Sequence, residues 1–181
     1  MKLTVLHGSP RKGMNSDRLT ERFLEGYTGN RPETDIEHFY INEMEISPCQ
    51  GCLHCSAPPH ECVITDDFDR IRQSYNTSEI IVFATPMYWG YMTAQLKTVM
   101  DRMEALAWED FFGNTVVVII TYRHHYESTV NFFKRIAPYF KLKVHFVTCC
   151  TYDRETFTNI NISECPKELN ESYELGRSLV I

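Results

Sequence analysis

The sequence predicts an α/β protein built on a doubly wound parallel sheet of five strands. Strand-type and helix-type hydrophobic patterns alternate along all 181 residues. At least three of the strand segments are continuous apolar runs, as expected where a strand is covered on both faces. Right-handed crossovers between parallel strands then leave helices on both sides of the sheet as the economical arrangement.

The elements follow in order. Leu3–His7 alternates as a first strand and runs into the loop "GSPRKGMNS". A helix follows, with Asn15 or Ser16 as its cap, Asp17 in the first turn, and Leu19, Phe23 and Tyr27 recurring every four residues. Thr34–Ile41 reads as the second strand and Asp66–Ser78 as a shorter helix with Phe68 and Ile71 inward. Glu79–Pro86 is a third strand, stopped by its proline. A helix over about Thr93–Leu106, a strand at Thr115–Tyr122, a helix near Glu127–Tyr139, a strand at Lys143–Cys149 and an amphipathic helix at Lys167–Leu179 complete the pattern. There is no internal repeat, low-complexity segment or linker, so residues 1–181 read as one domain with a cysteine-rich insertion at 47–63.

Composition narrows the function classes. A net charge of -6, with "PRKG" as the densest basic run, argues against nucleic acid and toward a small anion. The longest apolar runs are too short to span a bilayer, and "MKLTVLHGSP" lacks the apolar core of a signal peptide, so a cytoplasmic location is expected. In such a compartment, an odd seven cysteines point to ligands or redox groups rather than disulfides.

Ligands of doubly wound sheets sit beyond the carboxyl ends of the strands. After the first strand, Gly8 permits a sharp turn, Ser9, Asn15 and Ser16 offer hydroxyl or amide groups, and Arg11 and Lys12 offer cations beside a helix N-terminus. That set suits a terminal phosphate, although the glycine spacing is neither a P-loop nor G-x-G-x-x-G; a plain connecting loop is the competing reading. After the third strand, Pro86, Met87, Tyr88 and Trp89 present apolar surface, with Gly90 permitting close approach of backbone to a flat ligand. Such an aromatic run is also what core or a subunit interface would show. After the fourth strand come Tyr122, Arg123, His124 and His125.

Together "GSPRKGMNSDRL", "CQGCLHC…C…DDF" and "IVFATPMYWGYMTAQLKTVMDR" resemble the flavodoxin-like NAD(P)H-dependent FMN reductases, most closely their iron–sulfur flavoprotein branch. The resemblance covers about residues 1–105. It implies the strand order 2-1-3-4-5, FMN at the carboxyl edge, NAD(P)H as co-substrate, and a homodimer or homotetramer. Ser9, Arg11, Asn15 and Ser16 match the positions that hold the FMN phosphate, and Pro86, Met87, Tyr88, Trp89 and Gly90 match the loop along the isoalloxazine. The loop after the fourth strand departs from the pattern, having no glycine.

Cys49, Cys52 and Cys55 are spaced C-x2-C-x2-C, with Cys62 after six further residues, which resembles the cluster-binding motif of that branch. Thiolates at this spacing on a curved loop can converge on one [4Fe–4S] cluster, with Gly51 giving the bend. Zinc and empty thiols compete with that reading. Cys149, Cys150 and Cys165 read as ordinary core or surface thiols, and the adjacent Asp101 and Arg102 as a structural pair.

The expected function is therefore an FMN-dependent NAD(P)H oxidoreductase passing electrons to a quinone, a flavin, or an iron–sulfur or other acceptor. Arg123 and His124 are candidates to stabilise the reduced flavin. The alternatives are a non-enzymatic FMN/[4Fe–4S] electron carrier and a zinc-stapled binding protein without flavin.

Overall fold

The computed structural model describes residues 1–106 and 114–180. Strands β1 (Lys2–His7), β2 (Asp35–Tyr40), β3 (Ile80–Tyr88), β5 (Thr115–Tyr122) and β6 (Lys143–Cys150) form a parallel sheet in the order β2-β1-β3-β5-β6. A two-residue strand β4 (Tyr91–Met92) pairs back onto the end of β3. With β4 set aside, this is the 2-1-3-4-5 order that the family resemblance implies. A second small ribbon joins β7 (Tyr152–Asp153) to β8 (Thr158–Asn159).

Helices cover both faces. On one side α1 (Asn15–Thr28) and α5 (Pro166–Ser178) pack over Leu3, Val5, Val82, Val117 and Val147. On the other, α2 (Phe68–Asn76), α3 (Ala94–Arg102) and α4 (Glu127–Phe140) pack over Leu6, Phe83, Val118 and Ile120. The central strands β3 and β5 contribute to both clusters, which is why their sequences are continuous apolar runs rather than alternating ones.

Several boundaries differ from the sequence expectation. Pro86 does not stop the third strand, which continues to Tyr88. The partner β1 has already ended opposite Ala84, so the missing N–H of Pro86 leaves no β1 carbonyl unpaired, while the other edge stays in register with Thr121. Neither Asn15 nor Ser16 caps α1: the cap position is Met14, which makes no side-chain hydrogen bond. The helix after β3 ends at Arg102 and tightens into a 3-10 turn over Met103–Leu106. Its cap is Thr93, whose hydroxyl accepts the Leu96 N–H at 3.3 Å.

The α1–α5 contact is close enough to require glycine. A Cβ on Gly26 would stand 2.0 Å from the Tyr173 carbonyl oxygen, and one on Gly176 would stand 2.0 Å from that of Phe23. Ser172 Oγ donates to the Leu19 carbonyl at 2.8 Å in the same seam. Helix propensity alone favours alanine over glycine by about 1 kcal/mol. Overpacking two helix backbones costs about 1–3 kcal/mol or more, so Gly26→Ala is expected to destabilise the protein on balance. Urea unfolding followed by circular dichroism measures this; a midpoint equal to or above that of the parent would contradict the packing argument.

Candidate functional site

The loops after β1 and β3 are joined at the carboxyl edge. The Gly8 N–H donates to the Ala84 carbonyl at 2.8 Å, and Thr93 Oγ1 donates to the Gly8 carbonyl at 2.6 Å. Gly8 is required here for close approach rather than for a turn: a Cβ would lie 2.8 Å from Leu96 Cβ and 3.0 Å from Thr93 Oγ1. The sharp turn falls instead at Gly13, with φ +73°.

Within the first loop, Ser9 is buried. Its Oγ accepts the Arg11 N–H at 3.1 Å and donates to the Arg11 carbonyl, closing a short turn. The Arg11 side chain is exposed and forms no ion pair among the described residues. Ser16 is buried in the first turn of α1. Asn15 is committed elsewhere: its Nδ2 donates to the Ile160 carbonyl and its Oδ1 accepts the Ile162 N–H, both at 3.1 Å, tying this loop to the segment before α5. Lys12 turns away onto Glu43 at 2.9 Å and lies over the Tyr40 ring.

Asp17 does more than complement the helix dipole. Buried at the base of the loop, it accepts the Gly13 N–H at 2.7 Å and His7 Nδ1–H at 3.0 Å. His7 Nε2 in turn lies 3.0 Å from His38 Nδ1, and the His7 ring stacks on Tyr40 at 4.3 Å. This Asp–His–His chain was not legible in the sequence, because His7 and His38 meet only once β1 pairs with β2, in a register that sets His7 opposite Tyr40 and His38 diagonally beside it.

The second loop is a tight hairpin. Tyr88 pairs with Tyr91, and the two residues between, Trp89 and Gly90, both have positive φ (49° and 80°), as a two-residue turn matched to strand twist requires. A tryptophan in the left-handed region is unfavourable, and this one is fully exposed beside a half-exposed Tyr88. Pro86 is buried, and Met87 Sδ accepts the Thr129 hydroxyl at 3.3 Å. The Gly90 carbonyl accepts from Ser128 Oγ, which anchors the turn to α4. Beyond β5, the Arg123 guanidinium lies over the Tyr152 ring at 5.4 Å, and the His124 ring meets Tyr152 edge-on at 5.2 Å. Both are exposed on the same sheet edge.

The cysteine loop folds back onto the end of α3, and Cys49, Cys52, Cys55 and Cys62 line one pocket together with Arg102 and Glu104. Gly51 has φ +62°, supplying the expected bend. Burial, with Glu104 and the neighbouring sulfurs, pushes the Cys55 thiol above its ordinary range. Arg102 does not pair with its neighbour Asp101, which meets Lys97 instead. Its buried guanidinium donates from Nη1 to the Ser47 carbonyl at 3.0 Å and Asp66 Oδ2 at 2.9 Å, and from Nη2 to the Ile64 carbonyl at 2.9 Å. One side chain thus fastens both ends of the loop. Asp66 also accepts the Ser47 and Phe68 N–H groups. Burial works to raise its carboxyl, but Arg102 and these N–H donors prevail and hold it below the usual carboxylate range. The four loop sulfurs share the pocket, yet the described trio of candidate metal ligands lying within 4.8 Å of one another is elsewhere: Cys149, Cys165 and Glu168.

Arg102→Met is expected to cost about 3–5 kcal/mol, because it leaves Asp66 and two carbonyls without their charged partner. Urea unfolding tests it. A folded pKa below the ordinary Asp value of 3.8 means that the Asp66 contribution is complete above that value and is lost as pH falls through the lowered folded pKa. Across this acid window, Asp66→Asn should therefore show a shallower loss of stability than the parent. Equal slopes in urea midpoints measured from pH 5 downward would contradict the pairing.

Comparison with known proteins agrees with this architecture. An iron–sulfur flavoprotein of Methanosarcina thermophila is 37% identical over 111 residues, covering 61% of this chain and 56% of its own. One from Archaeoglobus fulgidus is 39% identical over 119 residues, covering 64% and 58%. The chain spans about half the length of the curated relatives it matches. Among solved structures, an FMN-dependent NADH-azoreductase from Bacillus anthracis, in complex with FMN, superposes with TM-score 0.73 at 13% identity, covering 97% of this chain and 98% of its own. That likeness establishes the shared fold. Residues 1–147 match the NADPH-dependent FMN reductase family, and the chain belongs to it.

Proposed function

We propose that this protein is an FMN-dependent NAD(P)H oxidoreductase delivering electrons to a quinone, flavin or iron–sulfur acceptor. The observation that carries the reading is the direct stitching of the phosphate-type loop to the aromatic hairpin at one sheet edge, through Gly8, Ala84 and Thr93. The groups there fit a flavin mononucleotide. The N-terminus of α1 has no side-chain cap, Arg11 has no carboxylate partner among the described residues, and Trp89 and Tyr88 present unburied aromatic surface.

Arg11 and the first-turn N–H groups would hold the phosphate, with Ser9 and Ser16 lining the loop, while Asn15 positions the loop from behind. Pro86, Met87, Tyr88, Trp89 and Gly90 would orient the ring, and Arg123 and His124 offer donors for its reduced form. Bound FMN supplies the capacity to take a hydride from a nicotinamide and release the electrons to an acceptor. The cysteine pocket also fits a [4Fe–4S] cluster. Arg102 lines it, and the buried Arg102 Nε has no hydrogen-bond partner among the described residues, leaving one cationic donor of that lining residue unused. No helix among the described residues is long and apolar enough to cross a membrane. A cytoplasmic setting, where exposed thiols stay reduced, and assembly as a homodimer or homotetramer covering Trp89 complete the reading.

The same pocket favours a second reading, an FMN/[4Fe–4S] electron carrier with little nicotinamide turnover. Steady-state oxidation of NADH and NADPH by the purified protein separates the two: substantial oxidation of either eliminates the carrier. An anaerobic ultraviolet–visible spectrum with iron, sulfide and zinc assays tests cofactor content on one sample. Arg11→Ala should weaken FMN binding by about 1.5–3 kcal/mol in a fluorescence titration, and unchanged affinity would remove Arg11 from the phosphate site. Cys52→Ala should lose iron and keep FMN; full iron retention would exclude the loop as ligand.

A further inference from the structure

We infer that Cys149, Cys165 and Glu168 form a second, structural metal site, selective for a thiophilic divalent cation such as Zn2+. The three candidate ligand atoms lie within 4.8 Å of one another. A tetrahedral zinc with Zn–S of about 2.3 Å and Zn–O of about 2.0 Å needs ligand separations of roughly 3.5–3.8 Å, so a shift of about 1 Å closes the set. The Cys150 carbonyl oxygen accepts weakly from both sulfurs, at 3.7 Å from Cys149 and 4.0 Å from Cys165, and so faces the same centre as a fourth ligand, the second oxygen.

Two buried thiols alone would read as small core side chains. Glu168 is what changes the reading. Its part-buried carboxylate lies within 4.8 Å of both sulfurs and forms no ion pair or hydrogen bond among the described residues. The ligands are also held in place. Cys165 is the cap position of α5, with Glu168 one turn on. The turn before it, Ile162–Glu164, is fixed by a reciprocal capping box between Asn161 and Glu164, and Asn15 grips the same segment from α1. Cys149 comes from the end of the edge strand β6, buried to 1% exposure. Cys165 is 8% exposed and Glu168 part-buried; two sulfurs and two oxygens from the protein leave no open coordination position, which makes the site a clasp between the sheet edge and α5 rather than a catalytic centre. Binding breaks two S–H bonds, forms two metal–sulfur bonds and releases two protons to solvent, with no change of oxidation state.

The test uses the full chain with Cys49, Cys52, Cys55 and Cys62 replaced by serine, which removes the loop thiols, and Cd2+ as the probe. Expected are one Cd2+ per chain, thiolate-to-cadmium ultraviolet absorption amounting to two sulfurs, and a raised thermal midpoint. Cys165→Ser should reduce the absorption and abolish the thermal shift, whereas Cys150→Ser should change neither. Glu168→Gln should keep the absorption but weaken affinity at least ~10-fold, the lower end of what loss of even an outer-shell partner costs. Absence of thiolate absorption in the reduced, folded chain would overturn the inference, as would a signal that follows Cys150 rather than Cys165. X-ray absorption at the zinc edge of the same chain, loaded with one Zn2+, gives an independent result, expected to show two sulfur and two oxygen neighbours.

Discussion

A parallel sheet whose central strands are covered on both sides leaves polar chemistry only one place to go. β3 and β5 spend their backbone groups on neighbouring strands and their side chains on two apolar layers. Charged and hydrogen-bonding residues therefore collect where the strands end. The loops after β1, β3 and β5, the cysteine loop and the β6–α5 thiol group all depend on that constraint.

The edge is held by a few buried polar contacts. Arg102 is the most consequential: a fully buried guanidinium is tolerated because Asp66 and two carbonyls receive it, and in being satisfied it gathers a loop with little apolar content of its own. The cysteines thereby face one pocket without needing a hydrophobic core beneath them. The Asp17–His7–His38 chain acts similarly under the first loop, where Asp17 fixes Gly13 while its carboxylate is answered by His7. Two loops with little apolar core of their own are thus shaped from below.

The far side of the molecule follows a different logic. α1 and α5 touch at Gly26 and Gly176, backbone against backbone; Ser172 adds a hydrogen bond along the seam, and Asn15 ties the start of α1 to the segment before α5. Since α1 carries the first loop, the position of α5 bears on the candidate site at the carboxyl edge. A metal clasp at Cys149, Cys165 and Glu168 would secure that helix at its N-terminal end.

The sequence by itself determined the alternation of strands and helices, the parallel class of the sheet and the grouping of Cys49, Cys52, Cys55 and Cys62 in one loop, because hydrophobic period and residue spacing are local properties, while the strand order came from the resemblance to a family. Tertiary structure decided what local pattern cannot express. Pro86 stays in its strand because its neighbour has already ended, and Gly8 is required by α3 rather than by its own turn. Asn15 serves the α5 segment, Arg102 serves Asp66 rather than Asp101, and Cys149 meets Cys165 only across the fold. Each of these depends on a partner distant along the chain, and burial makes that partner obligatory, since an unpaired polar group removed from water costs more than the contact itself supplies.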